Sequence, residues 1–235
     1  VVDFTAWWER LTAAQPDPPS WLVWGTAAVA LLVVAVRPLW RAARTVVTIA
    51  HEGGHGLTAL LTRRKLAGIR LHSDTSGLTV SSGRPTGPGM VLTAAAGYPA
   101  PSLLGLGGAA LLAAGRTTAL LWIGIALLAA MLLTLRNLFG VAAVLVTGGA
   151  FVAVSWYGTA EWQGAFAYLG VWFLLLAGVR PMLELWVTRR RGGAPGSDAD
   201  QLARLTGVPG ALWVVLFLVV ALACLGLGAA WLLPR

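Results

Sequence analysis

One cysteine, Cys224, and one lysine, Lys65, stand in a chain of 235 residues. A lone cysteine has no partner for an intrachain disulfide and excludes a cysteine-based metal site. Charge is scarce as well: 11% of residues are Asp, Glu, Lys or Arg, nine of them acidic, and there are three histidines. With 57% hydrophobic residues and a mean hydropathy of +0.77, the composition is far from that of a soluble domain. No cleavable signal peptide is evident, because residues 1–20 contain Asp3, Glu9, Asp17 and a proline cluster and lack a basic stretch feeding an apolar core. No internal repeat is recognisable, which removes the usual signature of a transporter built from inverted halves.

What the chain does have is apolar runs of about 20 residues, the length that crosses a bilayer as a helix. They are Trp21–Val36, Thr45–Leu61, Met90–Ala114, Thr118–Leu135, Leu138–Trp156, Trp162–Trp186 and Val208–Leu233. The expected fold is an all-α membrane protein, a polytopic bundle of about six to seven transmembrane helices. Twelve tryptophans suit interfacial anchoring, with Trp21, Trp24 and Trp40 flanking the first run and Trp231 closing the last. The net charge of +8 comes from arginine clusters beside the runs. Membrane topology and anionic headgroups account for it better than nucleic acid does. Arginine in place of lysine, with abundant Ala, Gly, Val and Leu, suggests a GC-rich bacterial genome and a multi-pass protein of the bacterial cell membrane.

Residues 1–20 read as an interfacial lead, with Trp7 and Trp8 at headgroup level. Residues 21–187 read as a membrane domain, 188–207 as a basic linker and short helix, and 208–235 as a C-terminal transmembrane helix. Within the membrane domain, alternation around Ile69, Leu71, Leu78 and Val80, with a turn at Ser73–Gly77, predicts a short β-hairpin over 68–84. With a cytoplasmic N-terminus, Arg63–Arg84, Arg136 and Arg189–Arg204 fall inside, and Arg37, Arg41, Arg44 and Arg116 fall outside. The positive-inside rule favours this orientation, against the Arg37–Arg44 group.

The metal-site helix, 45–62, carries His51-Glu52-Gly53-Gly54-His55, an H-E-x-x-H motif. Residues i and i+4 share a helix face, so His51 and His55 can hold one metal ion between them. Glu52 then projects beside it, where a carboxylate can take a proton from water. Two histidines and a glutamate within one turn at bilayer depth are costly without such a partner. The bland alternative is two satisfied polar residues inside a bundle.

The order of this helix, the hairpin after it, and then Ala94-Ala95-Ala96-Gly97-Tyr98-Pro99 resembles the site-2 protease family of intramembrane zinc metalloproteases, in a small bacterial branch. The resemblance covers Thr45 to about Gly149. It implies Zn2+ on His51 and His55, Glu52 as general base, and a membrane protein or peptide as substrate. The third ligand of that family is an aspartate after an N-x-x-P motif. Arg136-Asn137-Leu138-Phe139-Gly140 and Gly148-Gly149 resemble its frame, yet no acid lies between Asn137 and Gly149. Asp198, in a segment similar to one of the same branch, is the preferred donor. It also reads as the cap of a short helix, with Gln201 three residues on. Glu184 is a second candidate, although Arg180 lies one turn away. Glu161, His72 and Asp74 read as loop or turn residues. Asn137 is a poor zinc ligand and is expected either to hydrogen-bond an extended substrate strand or to satisfy a broken helix end. The implied activity is hydrolysis of peptide bonds in membrane-embedded substrates. The alternatives are a proteolytically inactive relative that binds a membrane partner, and a transporter or channel using the same polar residues.

Overall fold

The computed structural model describes residues 13–192 and 196–234. Most of the expected interfacial lead, including Trp7 and Trp8, lies outside the described residues, as do 193–195 of the linker and Arg235.

The chain is predominantly helical with one small antiparallel hairpin, an all-α membrane protein. Helices α1 (Ser20–Ala35) and α2 (Arg37–Leu61) form a pair bent by 100°. Val36 at the corner is extended, with φ −82° and ψ 117°, and Pro38 stands in the first turn of α2, where its missing N–H costs nothing. Arg180 locks the corner: its Nη1 donates to the Val34 carbonyl, left open by the bend, and its guanidinium lies 4.8 Å from the Trp40 ring centroid. Helix α1 is apolar on every side, whereas α2 is amphipathic and turns Trp40, Val47, Glu52, His55 and Ala59 inward.

Helix α2 stops at a tight turn in which Arg63 has φ 56°. Strands β1 (Lys65–Leu71) and β2 (Gly77–Ser82) follow as an antiparallel pair, with an irregularity between Leu66 and Gly68. Arg64 is buried and closes the base of the hairpin, donating to Ser81 Oγ at 3.1 Å and to the Arg84 carbonyl at 2.6 Å. The turn is closed by Asp74, whose Oδ1 accepts from the Ser76 amide (2.9 Å) and hydroxyl (2.7 Å). Those bonds hold its carboxyl below the ordinary carboxylate range. The outer edge of β1 is covered: Ile69 exchanges main-chain bonds with Thr134 and Arg136.

Beyond the hairpin come α3 (Pro88–Ala95), α4 (Ala100–Ala113), α5 (Thr117–Leu132), α6 (Leu138–Tyr157), α7 (Ala160–Ala177), α8 (Arg180–Arg190), α9 (Asp198–Thr206) and α10 (Gly210–Leu232). The main core is built by α1, α4, α5, α7 and α10, with Leu22, Ala109, Leu121, Val171 and Cys224 buried together. Ile49, Ile69, Leu71, Met131 and Val144 form a second cluster that seats β1 on α2. A third, of Ala94, Met182, Leu202 and Phe217, draws α9 in between α3, α8 and α10.

Span lengths differ from the sequence expectation. Among the described residues three helical stretches are long and apolar enough to cross a membrane: Leu138–Tyr157, Ala160–Arg190 and Gly210–Leu232. The bent pair of α1 and α2 adds a fourth if it is counted as one broken span rather than a re-entrant loop. The Met90–Ala114 run is split at Ala96–Pro99, where Gly97 and Pro99 interrupt it, a broken helix that its glycines and prolines permit. Helices α4 and α5 are apolar, but at 1.5 Å per residue they reach only about 21 and 24 Å, short of the ~30 Å hydrocarbon core.

Candidate metal centre

His51 and His55 lie one turn apart on α2, and their Nε2 atoms are 3.1 Å apart. Asp198 stands in the first turn of α9, and its Oδ2 is 3.2 Å from both nitrogens. The three donor atoms make a nearly equilateral triangle. Among the described residues these are the histidine and carboxylate side chains close enough to share one ion. Donors held about 2.0–2.1 Å from a tetrahedral zinc stand roughly 3.3 Å apart, so the triangle fits that metal. Asp198 Oδ2 is buried and has no hydrogen bond of its own, the condition of an atom kept for a ligand.

Neighbouring groups orient the donors. His55 Nδ1 lies 2.7 Å from the Thr93 carbonyl of α3, so Nδ1–H donates there and the Nε2 lone pair faces His51 and Asp198. The Thr93 hydroxyl is in turn committed to the Gly89 carbonyl at 2.7 Å. Tyr98 meets His51 edge-on, with ring centroids 4.8 Å apart. Gly97, in the break between α3 and α4, faces both imidazoles: a Cβ there would lie 2.3 Å from His55 Nε2. The interruption that shortens the span is thus also what admits the two rings.

Helix α9 begins at Ser197, whose hydroxyl accepts from the Asp200 amide. The cap is therefore Ser197 paired with Asp200, and the capping role considered for Asp198 falls to its neighbour. Asp200 is also ion-paired with Arg189 at the end of α8, which ties the start of α9 back across the linker.

Glu52 is 4% exposed. Its Oε2 accepts a 2.6 Å hydrogen bond from Thr79 Oγ1 of β2. Thr48, one turn earlier on α2, donates to the Thr75 carbonyl at 2.8 Å, so the hairpin lies over the motif. A cavity of about 380 Å³ is lined by His51, Glu52, His55, Tyr98, Asp198 and the β2 side of the hairpin.

The other candidates lie elsewhere. Glu184 pairs with Arg180 at 3.0 Å and Arg44 at 3.5 Å, outside the donor triangle. Glu161 is exposed in the first turn of α7, and His72 and Asp74 are exposed in the hairpin turn. Asn137 does engage an extended strand, but a strand of its own chain: its Oδ1 accepts from the Leu71 amide at 3.2 Å and its Nδ2 donates to the Leu71 carbonyl at 2.6 Å. Sequence reasoning missed Thr79, Thr93 and Gly97. Only the small-residue run around Gly97 carried any signal.

A helical membrane bundle that gathers two histidines and an aspartate around one point, with a buried glutamate beside them, is built like a membrane metallopeptidase. The family model described as Peptidase M50B-like matches residues 24–228. The chain belongs to that family, the site-2 protease family, and is an integral membrane protein. No curated protein and no solved structure matches it.

Proposed function

We propose that the chain is an intramembrane zinc endopeptidase, with His51, His55 and Asp198 as the ligand set and Glu52 as the general base. The observation that carries this reading is the donor triangle, with edges of 3.1, 3.2 and 3.2 Å, beside a buried glutamate. Bound zinc would supply Lewis acidity, activating water near neutral pH and polarising the scissile carbonyl. Glu52 takes a proton from the attacking water as the new C–O bond forms, and then delivers it to the amide nitrogen, which leaves as the C–N bond breaks. The His55 ring is turned towards the ion by its Nδ1–H bond to the Thr93 carbonyl.

A membrane helix conceals its peptide bonds and has to unwind before it is cut. Among the described residues β2 pairs with β1 alone, so its far edge offers open main-chain donors and acceptors beside the cavity. An unwound substrate segment adds to that edge as a further strand. Asn137 contributes from behind, since its amide fixes Leu71 and with it the register of β1.

Glu52→Gln tests the reading. It keeps the three donors and removes the base, so zinc content stays at the parent level while cleavage of a membrane-embedded peptide falls by roughly 10²–10⁴. A Gln variant that cuts at the parent rate overturns the assignment. A parent protein that binds zinc but cuts no membrane peptide favours the partner-binding relative.

A further inference from the structure

Glu52 is buried but lines the cavity, and its two carboxylate oxygens meet different surroundings. Oε2 accepts the 2.6 Å bond from Thr79. The Glu52 carbonyl also lies 3.2 Å from that hydroxyl. A hydroxyl carries one proton, and the shorter, charge-assisted contact takes it. Oε1 has no hydrogen-bond donor among the described residues. It lies against the backbone of Gly77, where an added Cβ would stand 2.4 Å away. Gly77 is not in a left-handed conformation, so this space for the carboxylate, rather than backbone freedom, is what glycine provides there.

From these contacts we infer that β2 positions the general base. Thr79 occupies Oε2 and fixes the plane of the carboxylate, Gly77 leaves room for Oε1, and Oε1 is the oxygen that receives the proton. Thr79 is a positioning residue acting through Glu52, and the inference rests on the reading of Glu52 as the base. It gives the hairpin a duty beyond receiving substrate. The same two turns of strand that present an open edge on one side hold the proton acceptor on the other.

The test uses full-length protein and three variants. Thr79→Val removes the hydroxyl at nearly constant volume, Thr79→Ser restores it, and Gly77→Ala crowds Oε1. The expected result is a fall in kcat of roughly ten- to a hundredfold in Thr79→Val and Gly77→Ala, with KM within twofold, zinc content unchanged, and kcat recovered in Thr79→Ser. Parental kcat in Thr79→Val overturns the inference, and so does a loss that Ser fails to rescue. A second readout does not depend on turnover. In zinc-free protein the antisymmetric carboxylate stretch of Glu52, isolated as an infrared difference against Glu52→Gln, shifts in Thr79→Val and returns in Thr79→Ser. A band unmoved by Val overturns the positioning role. Should the parent protein cut nothing, the proposed activity fails while this band still decides the role of Thr79.

Discussion

Asp198 and Ser197 are adjacent, yet they carry separate duties. Ser197 caps α9 and Asp198 faces the histidines. The two can therefore be varied independently. Asp198→Asn leaves the Ser197–Asp200 cap intact and removes the negative charge from the donor triangle. Zinc, about one per chain in the parent, should be retained poorly in Asp198→Asn and lost in a His51→Ala, His55→Ala double variant. The thermal transition of the metal-free Asn variant should match that of the metal-free parent. Ser197→Ala should do the reverse, costing about 1 kcal/mol of stability with the donors still present. Metal analysis and thermal denaturation check both. At this scale the one-face pairing of His51 with His55 is legible in the sequence, because the helix repeat is local. The approach of Asp198 is suggested only by likeness to a family segment. Thr79 and Thr93 leave no trace in sequence, since each acts through a contact made by folding, across 27 and 38 positions.

Helix α9 is too short to hold its own orientation, and its packing shows what holds it. Ala199 and Leu202 are fully buried against α8 and α10, and Asp200 is ion-paired with Arg189. The pair sits at the start of α9, two residues from Asp198, where a small rotation of the helix would swing the carboxylate out of the triangle. Arg189→Ala should weaken zinc affinity roughly tenfold or more, with Arg189→Lys recovering part of it, as read by competition with a chromogenic chelator. Affinity unchanged in the Ala variant would show that packing alone orients α9. The hairpin is legible from alternation, and Ile69 and Leu71 of β1 face the interior, whereas on β2 Leu78 and Val80 are exposed and Gly77 and Thr79 turn to Glu52. The breaks at Val36, Ala96–Pro99 and Gly178–Val179 are harder to read. Hydropathy registers what a segment is made of, and a helix that bends or restarts keeps the same composition.

For the molecule as a whole, the arrangement of arginines offers a test of orientation. We propose that 63–84 and 189–204 face the cytoplasm, as the positive-inside count favours. Cys224 is buried and easily replaced by Ser. In that background, single cysteines placed in either segment should resist an impermeant thiol reagent added to intact cells and react after permeabilisation. Labelling from outside in either segment would reverse the orientation.

The donor triangle also joins elements far apart in the sequence: the histidines sit on α2 and Asp198 on α9. On the proposed ligand set this imposes a timetable. A ribosome delivers His51 and His55 to the membrane early, and α4 through α8 are made before Asp198 appears. Throughout that interval the growing chain holds an unfinished centre and cannot attack the unfolded segments emerging beside it. On the proposed function, hydrolytic power arrives only with α9, after α2 through α8 have been made. A nascent chain that threads through an insertion machine crowded with cuttable helices is thereby disarmed until α9 has been made.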